Sequence, residues 1–159
     1  MGFRKRRYTS LRSLLADLLF PARNRRRLRE VERQGLLSPA FRERLMLAVT
    51  AVNGCRYCSF FHAREALKTG VAPDEVRRLL AGTADDSPED DVVALLYAQH
   101  WAESDARPAP EAVERLRQAY GTEKADAIHL VLRMIRFGNL SGNTWDYFLY
   151  RLSFGRLGA

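Results

Sequence analysis

The chain has 159 residues, of which 47% are hydrophobic and 28% are charged. This length suits one domain with a substantial core and is too short for two domains to be expected. Two cysteines are too few for a disulfide-stabilised scaffold, and no apolar run approaches the length of about 18 residues typical of a membrane span. We therefore expect a cytoplasmic protein.

The net charge of +7 is concentrated near the N-terminus. Residues 1–33 hold eleven Lys and Arg but only three acidic residues, a local net charge of +8, which leaves −1 for the rest of the chain. The sequence therefore predicts a basic N-terminal helical arm, residues 1–35, followed by a nearly neutral domain, residues 36–159. A basic arm of this kind is compatible with contact to anionic lipid or nucleic acid.

The arm is predicted to contain two helices. Residues 2–8 are expected to be mobile, and Thr9 or Ser10 is a suitable N-cap for a helix that ends at Phe20–Pro21. Leucines follow the helical spacing in this segment, at positions 11, 14, 15, 18 and 19. Arg12 and Asp17 interrupt the apolar run, which disfavours a signal peptide. We expect the leucine stripe to dock on the domain or on a neighbouring subunit, and a second helix over residues 22–34 to end at Gly35.

The domain is predicted to be entirely helical. Ser38 and Pro39 form a typical helix start, and the helix that follows ends at Asn53–Gly54. Further helices are predicted from the dithiol to Thr69, over 73–80, from a Ser87 cap through 101, over 111–120 and from 122 onward. Glycines at 138 and 142, with the amides of Asn139 and Asn143, predict a kink or break before a last helix around residue 145. No strand-like alternation of useful length appears, so we expect an all-α fold of about seven or eight helices.

The two cysteines and one of the three histidines lie in a single short segment. A helix that starts near Cys55 places Cys55 beside Cys58, and Cys58 one turn before His62. This arrangement aligns a dithiol with a possible base. We expect Cys58 to be the nucleophile and Cys55 the resolving thiol, with His62 taking the Cys58 proton.

Other uses of a Cys-x-x-Cys pair fit less well. A c-type haem site requires His directly after the second cysteine, where this chain has Ser59. A structural zinc site requires four ligands, and the remaining histidines, His100 and His129, stand apart on predicted helices. A thioredoxin-like site requires a preceding strand, whereas the residues before Cys55 form a predicted helix. Two inert core thiols remain an alternative, and no metal or organic cofactor is expected.

The position of the dithiol favours reactivity. Asn53–Gly54 ends one helix and starts the next, so Cys55 and Cys58 fall in a first turn whose unpaired N–H groups favour negative charge. We therefore expect the helix N-terminus to lower the pKa of both thiols below that of a free cysteine.

Residues 41–102 resemble the carboxymuconolactone decarboxylase and AhpD-like alkylhydroperoxidase superfamily. The similarity rests on a helix that begins near Glu43, on Cys55-x-Tyr57-Cys58-x3-His62, on Leu67-x2-Gly70 and on Asp74-Glu75-Val76, with Glu43 twelve positions before Cys55. The resemblance implies that Cys58 attacks a hydroperoxide and that Cys55 forms the disulfide. It also implies that Glu43 and His62 relay protons, that an external thiol or dithiol donates electrons, and that the all-α subunit forms a trimer or hexamer.

One residue departs from the peroxidase pattern. Tyr57 stands where that pattern has a histidine just before the second cysteine, and a phenol keeps its proton at neutral pH. Low peroxidase efficiency is therefore expected, with protein disulfide exchange or redox sensing as an alternative. The decarboxylase branch generally lacks the cysteine pair, so similarity to it implies the fold rather than the reaction. A non-enzymatic role of the basic arm in surface binding is a further alternative.

Overall fold

A computed structural model describes residues 3–158, and all regular secondary structure in this range is helical. The seven helices are α1 (Leu11–Arg23), α2 (Arg25–Gln34), α3 (Pro39–Asn53), α4 (Arg56–Lys68), α5 (Pro73–Leu80), α6 (Glu89–Glu103) and α7 (Pro110–Leu152). The prediction of an all-α fold with a helix that carries the Cys-x-x-Cys pair is confirmed.

Helix α3 lies at the centre and packs against α4, α5, α6 and α7. Its start matches the sequence prediction, because the Ser38 hydroxyl accepts a hydrogen bond from the Phe41 N–H at 3.2 Å and Pro39 occupies the first turn. Its end also matches, since Gly54 adopts a left-handed conformation with φ of 69°. Leu45 and Leu47 are fully buried, although they lie on different faces. A helix buried on several sides can hold side chains for more than one part of a site.

Helix α7 is longer than predicted. The expected break at Gly121 is present, with φ of 74° and ψ of 162°, but the helix then continues without interruption through Gly138 and Gly142 to Leu152. The predicted kink near these glycines is therefore wrong. Gly138 and Gly142 instead allow α7 to pack closely against Cys55 and Cys58. The side-chain amides of Asn139 and Asn143 are buried and donate hydrogen bonds.

The start of α6 is also corrected. Ser87 was expected to cap this helix, but the helix begins at Glu89 with Pro88 in the cap position and no side-chain cap. Within residues 3–158 the buried Ser87 hydroxyl oxygen has no hydrogen-bond partner. Three acidic residues in the first turn, Glu89 to Asp91, favour the helix N-terminus through its dipole instead.

The arm packs against α7 through a polar contact. Asp17 is 5% exposed, forms ion pairs with Arg133 and Arg136, and accepts a hydrogen bond from the Tyr8 hydroxyl at 2.9 Å. Four of the five leucines in the stripe of α1 are exposed, with Leu11 78% exposed, whereas Leu14 is half-buried. Docking of the stripe on the domain is therefore wrong for these four leucines, because the buried Asp17 carboxylate holds a different face of α1 to α7; docking on a neighbouring subunit stays a prediction.

Two further predictions for the arm require correction. Pro21 lies inside α1, which continues to Arg23, so the proline costs a hydrogen bond without ending the helix. Residues 3–8 were expected to be mobile, but the Phe3 and Tyr147 rings lie 5.3 Å apart and the Tyr8 N–H donates to the Thr144 hydroxyl at 3.1 Å. Gly2, also in that prediction, lies outside the described residues.

Among the helices of residues 3–158, none combines the length and apolar character needed to cross a membrane.

Candidate active site

The two cysteines lie at the start of α4. Cys55 is the N-cap residue, and its sulfur accepts a hydrogen bond from the Cys58 N–H at 3.3 Å. The two Sγ atoms are 2.7 Å apart and share a hydrogen bond. Cys55 has no exposed surface, whereas Cys58 is half-buried. A molecule arriving from solvent therefore meets Cys58 first.

The hydrogen bond between the two sulfurs changes the pKa of both thiols. It lowers the pKa of Cys55 to about 7; burial opposes this, while the first-turn N–H groups of Tyr57 and Cys58 assist it. The same hydrogen bond, together with burial, raises the pKa of Cys58. The expectation that the pKa of both thiols falls is therefore wrong for Cys58, because the contact with Cys55 and burial both favour its protonated form.

A carboxylate and an imidazole form the second part of the site. Glu43, from the middle of α3, is 6% exposed, and its Oε2 lies 2.7 Å from His62 Nδ1. This contact fixes the imidazole ring and leaves Nε2 as the ring nitrogen available for another partner. His62 follows Cys58 by four residues on α4 and so shares its face of the helix.

Helix α7 lies directly against the dithiol. A Cβ atom at Gly142 would be 2.9 Å from Cys55 Sγ and 3.3 Å from a ring carbon of Tyr57. The equivalent atom at Gly138 would be 3.9 Å from Cys58 Sγ, an ordinary contact. Only glycine at position 142 allows the α7 backbone to approach the Cys55 sulfur this closely.

Buried amides connect α7 to the end of α3. Asn139 Nδ2 donates to the Thr50 hydroxyl, and Asn53 Nδ2 donates to Asn139 Oδ1, both at 3.1 Å. Asn143 Nδ2 donates to the backbone oxygens of Asn53 and Arg6, both at 2.7 Å. These bonds fix the Asn53–Gly54 turn from which the dithiol helix begins.

A buried carboxylate on α7 holds the outer side of the dithiol segment. Asp146 has no exposed surface and receives Lys5 Nζ at 3.0 Å, Arg56 Nη2 at 2.7 Å and the Tyr57 hydroxyl at 2.8 Å. Burial raises the pKa of Asp146, but the hydrogen bonds from Lys5, Tyr57 and Arg56 outweigh it and lower the pKa below its ordinary value.

Tyr57 belongs to this cluster around Asp146. Besides donating to the carboxylate, its hydroxyl accepts a hydrogen bond from Arg56 at 2.9 Å, and the Arg56 guanidinium lies 4.8 Å from its ring centroid. The phenol thus anchors the first turn of α4 to α7. The structure shows a packing role for the residue that replaces the histidine of the peroxidase pattern.

The four candidate residues from the sequence form two contacting pairs, Cys55 with Cys58 and Glu43 with His62. Helix α4 connects the pairs, since it carries Cys58 and His62. Sequence reasoning missed the contribution of Asp146 and treated Gly142 only as a helix breaker. A buried acid beside Trp145 on an amphipathic helix was the available signal, but its partner Lys5 is 141 residues away.

The other two histidines have hydrogen-bond partners away from Cys55 and Cys58. His129 Nε2 lies 2.5 Å from the Tyr97 hydroxyl, and burial lowers the pKa of His129. His100 Nε2 accepts a hydrogen bond from the Ala109 N–H at 3.2 Å. Across residues 3–158, no group of three His, Cys, Asp or Glu side chains is arranged to hold a metal ion.

Comparison with known proteins identifies a family. No curated protein and no solved structure matches the chain. The model of the carboxymuconolactone decarboxylase family matches residues 19–103, which extend from α1 to the end of α6 and include all four candidate residues. Because this match covers more than half of the 159 residues, the chain belongs to the carboxymuconolactone decarboxylase family, which includes AhpD-like proteins.

Proposed function

We propose that this protein is a thiol-dependent peroxidase that reduces hydroperoxides through the Cys55–Cys58 dithiol. Members of its family are enzymes, either decarboxylases or peroxidases. The observation that carries the proposal is the asymmetry of the dithiol: Cys58 is half-buried, whereas Cys55 is fully buried, has a lowered pKa and holds its sulfur 2.7 Å from that of Cys58. This arrangement provides one sulfur that peroxide can reach and another that is ready to resolve the product.

The first step would occur at Cys58. His62, held by Glu43 and one turn along α4, accepts the Cys58 proton, and the resulting thiolate attacks the terminal hydroperoxide oxygen. The S–O bond forms as the O–O bond breaks, and the leaving alkoxide takes the proton back from His62 to become an alcohol. Cys58 is thereby oxidised to a sulfenic acid.

The second step would use the Cys55 thiolate. It attacks the Cys58 sulfur, the S–S bond forms, and the S–O bond breaks to release hydroxide, which is protonated to water. The Sγ separation of 2.7 Å places the two atoms within reach of each other. An external thiol or dithiol then supplies two electrons and two protons to regenerate the pair, so the cycle requires no metal or organic cofactor.

A stopped-flow titration of the reduced protein with hydrogen peroxide tests this proposal. We expect two thiols to be lost per chain, together with the mass of two hydrogen atoms. Cys58→Ser should abolish the reaction, whereas Cys55→Ser should retain the first step and lose one thiol. Survival of both thiols in excess peroxide would contradict the proposal.

Protein disulfide exchange is the second candidate function. Its support is the apolar surface beside the dithiol, because Phe60 is 74% and Phe61 is 56% exposed on the same helix. Such a surface suits contact with another protein. Cys55→Ser would then trap a mixed disulfide with a partner through Cys58, whereas Cys58→Ser would not. Trapping without any peroxide-driven loss of thiols would favour this function over the peroxidase.

We also propose a homo-oligomer, a trimer or hexamer as the resemblance implies. Support comes from apolar side chains that one chain leaves exposed. On α7, Trp145 and Phe148 are 55% and 50% exposed and stack with ring centroids 5.5 Å apart. Light scattering at several concentrations should give three or six copies, and a monomer throughout would contradict this.

A further inference from the structure

A large cleft lies between the arm and the candidate active site. It has a volume of about 920 Å³ and is open to solvent. The end of α1 and one face of α2 form one wall, and α3, α4 and α7 form the other. Its volume falls within the range of about 300–1,000 Å³ that is common for small-molecule sites. The basic arm therefore encloses a site of ligand size.

The residues that line this cleft include the Glu43–His62 pair. Two of the helices that border the cleft also lead from it to the reactive sulfur. On α4, His62 lines the cleft one turn beyond Cys58. On α7, Met134 lines it one turn before Gly138, where a Cβ atom would lie 3.9 Å from Cys58 Sγ. The lining of the cleft therefore comes within about one helical turn of Cys58, a rise of about 6 Å.

The walls of the cleft are mainly apolar. They are formed by aliphatic and methionine side chains from both sides, namely Leu28, Val31, Leu37, Met46, Val131 and Met134. Of the polar side chains that line the cleft, the proposed proton transfer uses only Glu43 and His62. Such walls favour a ligand with a hydrocarbon body, because its transfer from water is favourable by roughly 25 cal/mol per Å² buried.

The arm adds positive charge to the same cleft. Arg25 and Arg29 on α2 are both exposed, line the cleft, and share one face of the helix four residues apart. Within residues 3–158, neither forms an ion pair with a carboxylate, unlike Arg27 and Arg33 on the same helix. Two unpaired guanidinium groups at the edge of an apolar cleft suit a carboxylate, which arginine can bind in a bidentate manner.

We propose that this cleft binds an amphipathic anion, a hydrocarbon chain that ends in a carboxylate. The carboxylate lies between Arg25 and Arg29 and the chain extends toward His62. The identity of the substrate rests on the proposed peroxidase function. With that function, the preferred substrate is the hydroperoxide of an apolar carboxylic acid. The O–O bond of that hydroperoxide is cleaved by Cys58 with electrons from the dithiol, and the hydroxy acid leaves.

Binding is measured first, without any redox chemistry. In the Cys55→Ser/Cys58→Ser protein, isothermal calorimetry is performed with decanoate and with decanol. We expect decanoate to bind more tightly than decanol, and Arg25→Ala/Arg29→Ala to weaken decanoate binding at least about tenfold. Arg12→Ala/Arg26→Ala is the matched control, since it removes the same charge from exposed arm positions that do not line the cleft; its affinity should be unchanged.

A second variant tests whether the apolar walls of the cleft bind the hydrocarbon chain. Leu28→Trp adds bulk to the wall on α2, where Leu28 is half-buried, and should weaken both decanoate and decanol. Absence of decanoate binding, or equal binding by the two double-arginine variants, would overturn the ligand assignment. That result would stand even if hydrogen peroxide oxidised both thiols in the wild-type protein.

Turnover is then measured in the wild-type protein with a fatty-acid hydroperoxide and with hydrogen peroxide. We expect the fatty-acid hydroperoxide to oxidise the thiols at least about tenfold faster, and Arg25→Ala/Arg29→Ala to remove this advantage while the hydrogen peroxide rate stays unchanged. An equal rate for the two oxidants would overturn the substrate preference. If decanoate binds as expected and neither oxidant consumes thiols, the peroxidase proposal fails while the anion site is upheld.

Discussion

The dithiol lies between two regions of different character. On one side, α3 and α4 provide Glu43, Cys55, Cys58 and His62, all within the residues that match the family. The other side consists of α7 and residues 3–8, which lie outside that match. Helix α7 brings the Gly142 backbone close to Cys55 and carries the buried carboxylate Asp146, which Lys5 contacts. The first region contains the groups proposed to react, and the second determines how closely those groups are held.

This difference shows how a short motif depends on distant residues. The pKa of Cys55 is lowered by groups of the motif itself, the Cys58 thiol and the first-turn N–H groups. The position of that turn, in contrast, depends on contacts with α7, from Asn53 to Asn139 and from Arg56 and Tyr57 to Asp146. Substitutions in the two regions should therefore have different effects, on the chemistry in one case and on geometry and stability in the other.

The largest effect is expected on the motif side. Glu43→Gln removes the carboxylate charge at 2.7 Å from His62, so the imidazole becomes a poorer proton acceptor. The second-order rate of thiol oxidation by hydrogen peroxide should fall on the order of 100-fold at neutral pH. Glu32→Gln is the control, because this exposed residue lines the same cleft and should leave the rate unaltered. A normal rate in Glu43→Gln would exclude a proton relay through this pair.

A smaller loss of activity is expected on the α7 side. Gly142→Ala places a methyl group 2.9 Å from Cys55 Sγ, so the sulfur or the helix must shift, and disulfide formation should slow by about tenfold. Gly138→Ala is the matched control on the same helix, since its methyl group would make an ordinary contact at 3.9 Å. That variant should form the disulfide normally and be more stable by up to about 1 kcal/mol. Equal rates in the two variants, measured by quenched-flow thiol trapping, would contradict the close approach.

The contribution of α7 to the free energy of unfolding can be tested by substituting its buried carboxylate, Asp146. Asp146→Asn removes the charge that Lys5 and Arg56 contact and should lower the free energy of unfolding in urea by about 1–3 kcal/mol. Asp126→Asn removes an exposed carboxylate paired with Arg27 and should change stability by no more than about 0.5 kcal/mol. If the two variants unfolded at the same urea concentration, Asp146 would have no special structural role.

The smallest effect concerns the thiolate itself. In the reduced protein, the ultraviolet absorbance of one thiolate per chain should appear with a midpoint near pH 7. Below this pH Cys55 is protonated, so disulfide formation from the sulfenic acid should slow as the pH falls. Cys58→Ala removes the neighbouring thiol and should raise the midpoint by about one unit, toward that of a free thiol. Cys58→Ser retains a hydroxyl group beside Cys55 and should raise the midpoint less. An unchanged midpoint in Cys58→Ala would show that the Cys58 thiol does not lower the pKa of Cys55.

Much of the helical layout could be predicted from the sequence, because helix ends depend on local chemistry. Ser10, Ser38 and Gly54 act where their residue types indicated. Pro21 was misleading because a proline near the last turn removes one hydrogen bond without preventing the final residues from remaining helical. Ser87 was misleading because Pro88 takes the cap position.

The site was predictable only where its parts lie on neighbouring helices. The Cys-x-x-Cys spacing predicts the contact between Cys55 and Cys58, and the family resemblance implies that Glu43 and His62 act together; the structure contains both pairs. Gly142 could not be interpreted in the same way, since a helical glycine has a packing role only once the group opposite it is known. Asp17 and Asp146 illustrate the same limit: each is a buried acid whose cationic partners lie more than 85 residues away in sequence or on another helix.

The most direct test of the central claim is to identify which sulfur peroxide oxidises. Cys55→Ser and Cys58→Ser are each treated with hydrogen peroxide in the presence of dimedone, which captures sulfenic acids, and the modified peptide is identified by mass spectrometry. An adduct at Cys58 in Cys55→Ser, with none at Cys55 in Cys58→Ser, is the result we predict from the exposed and buried positions of the two thiols. An adduct at Cys55, or no adduct in either variant, would contradict it.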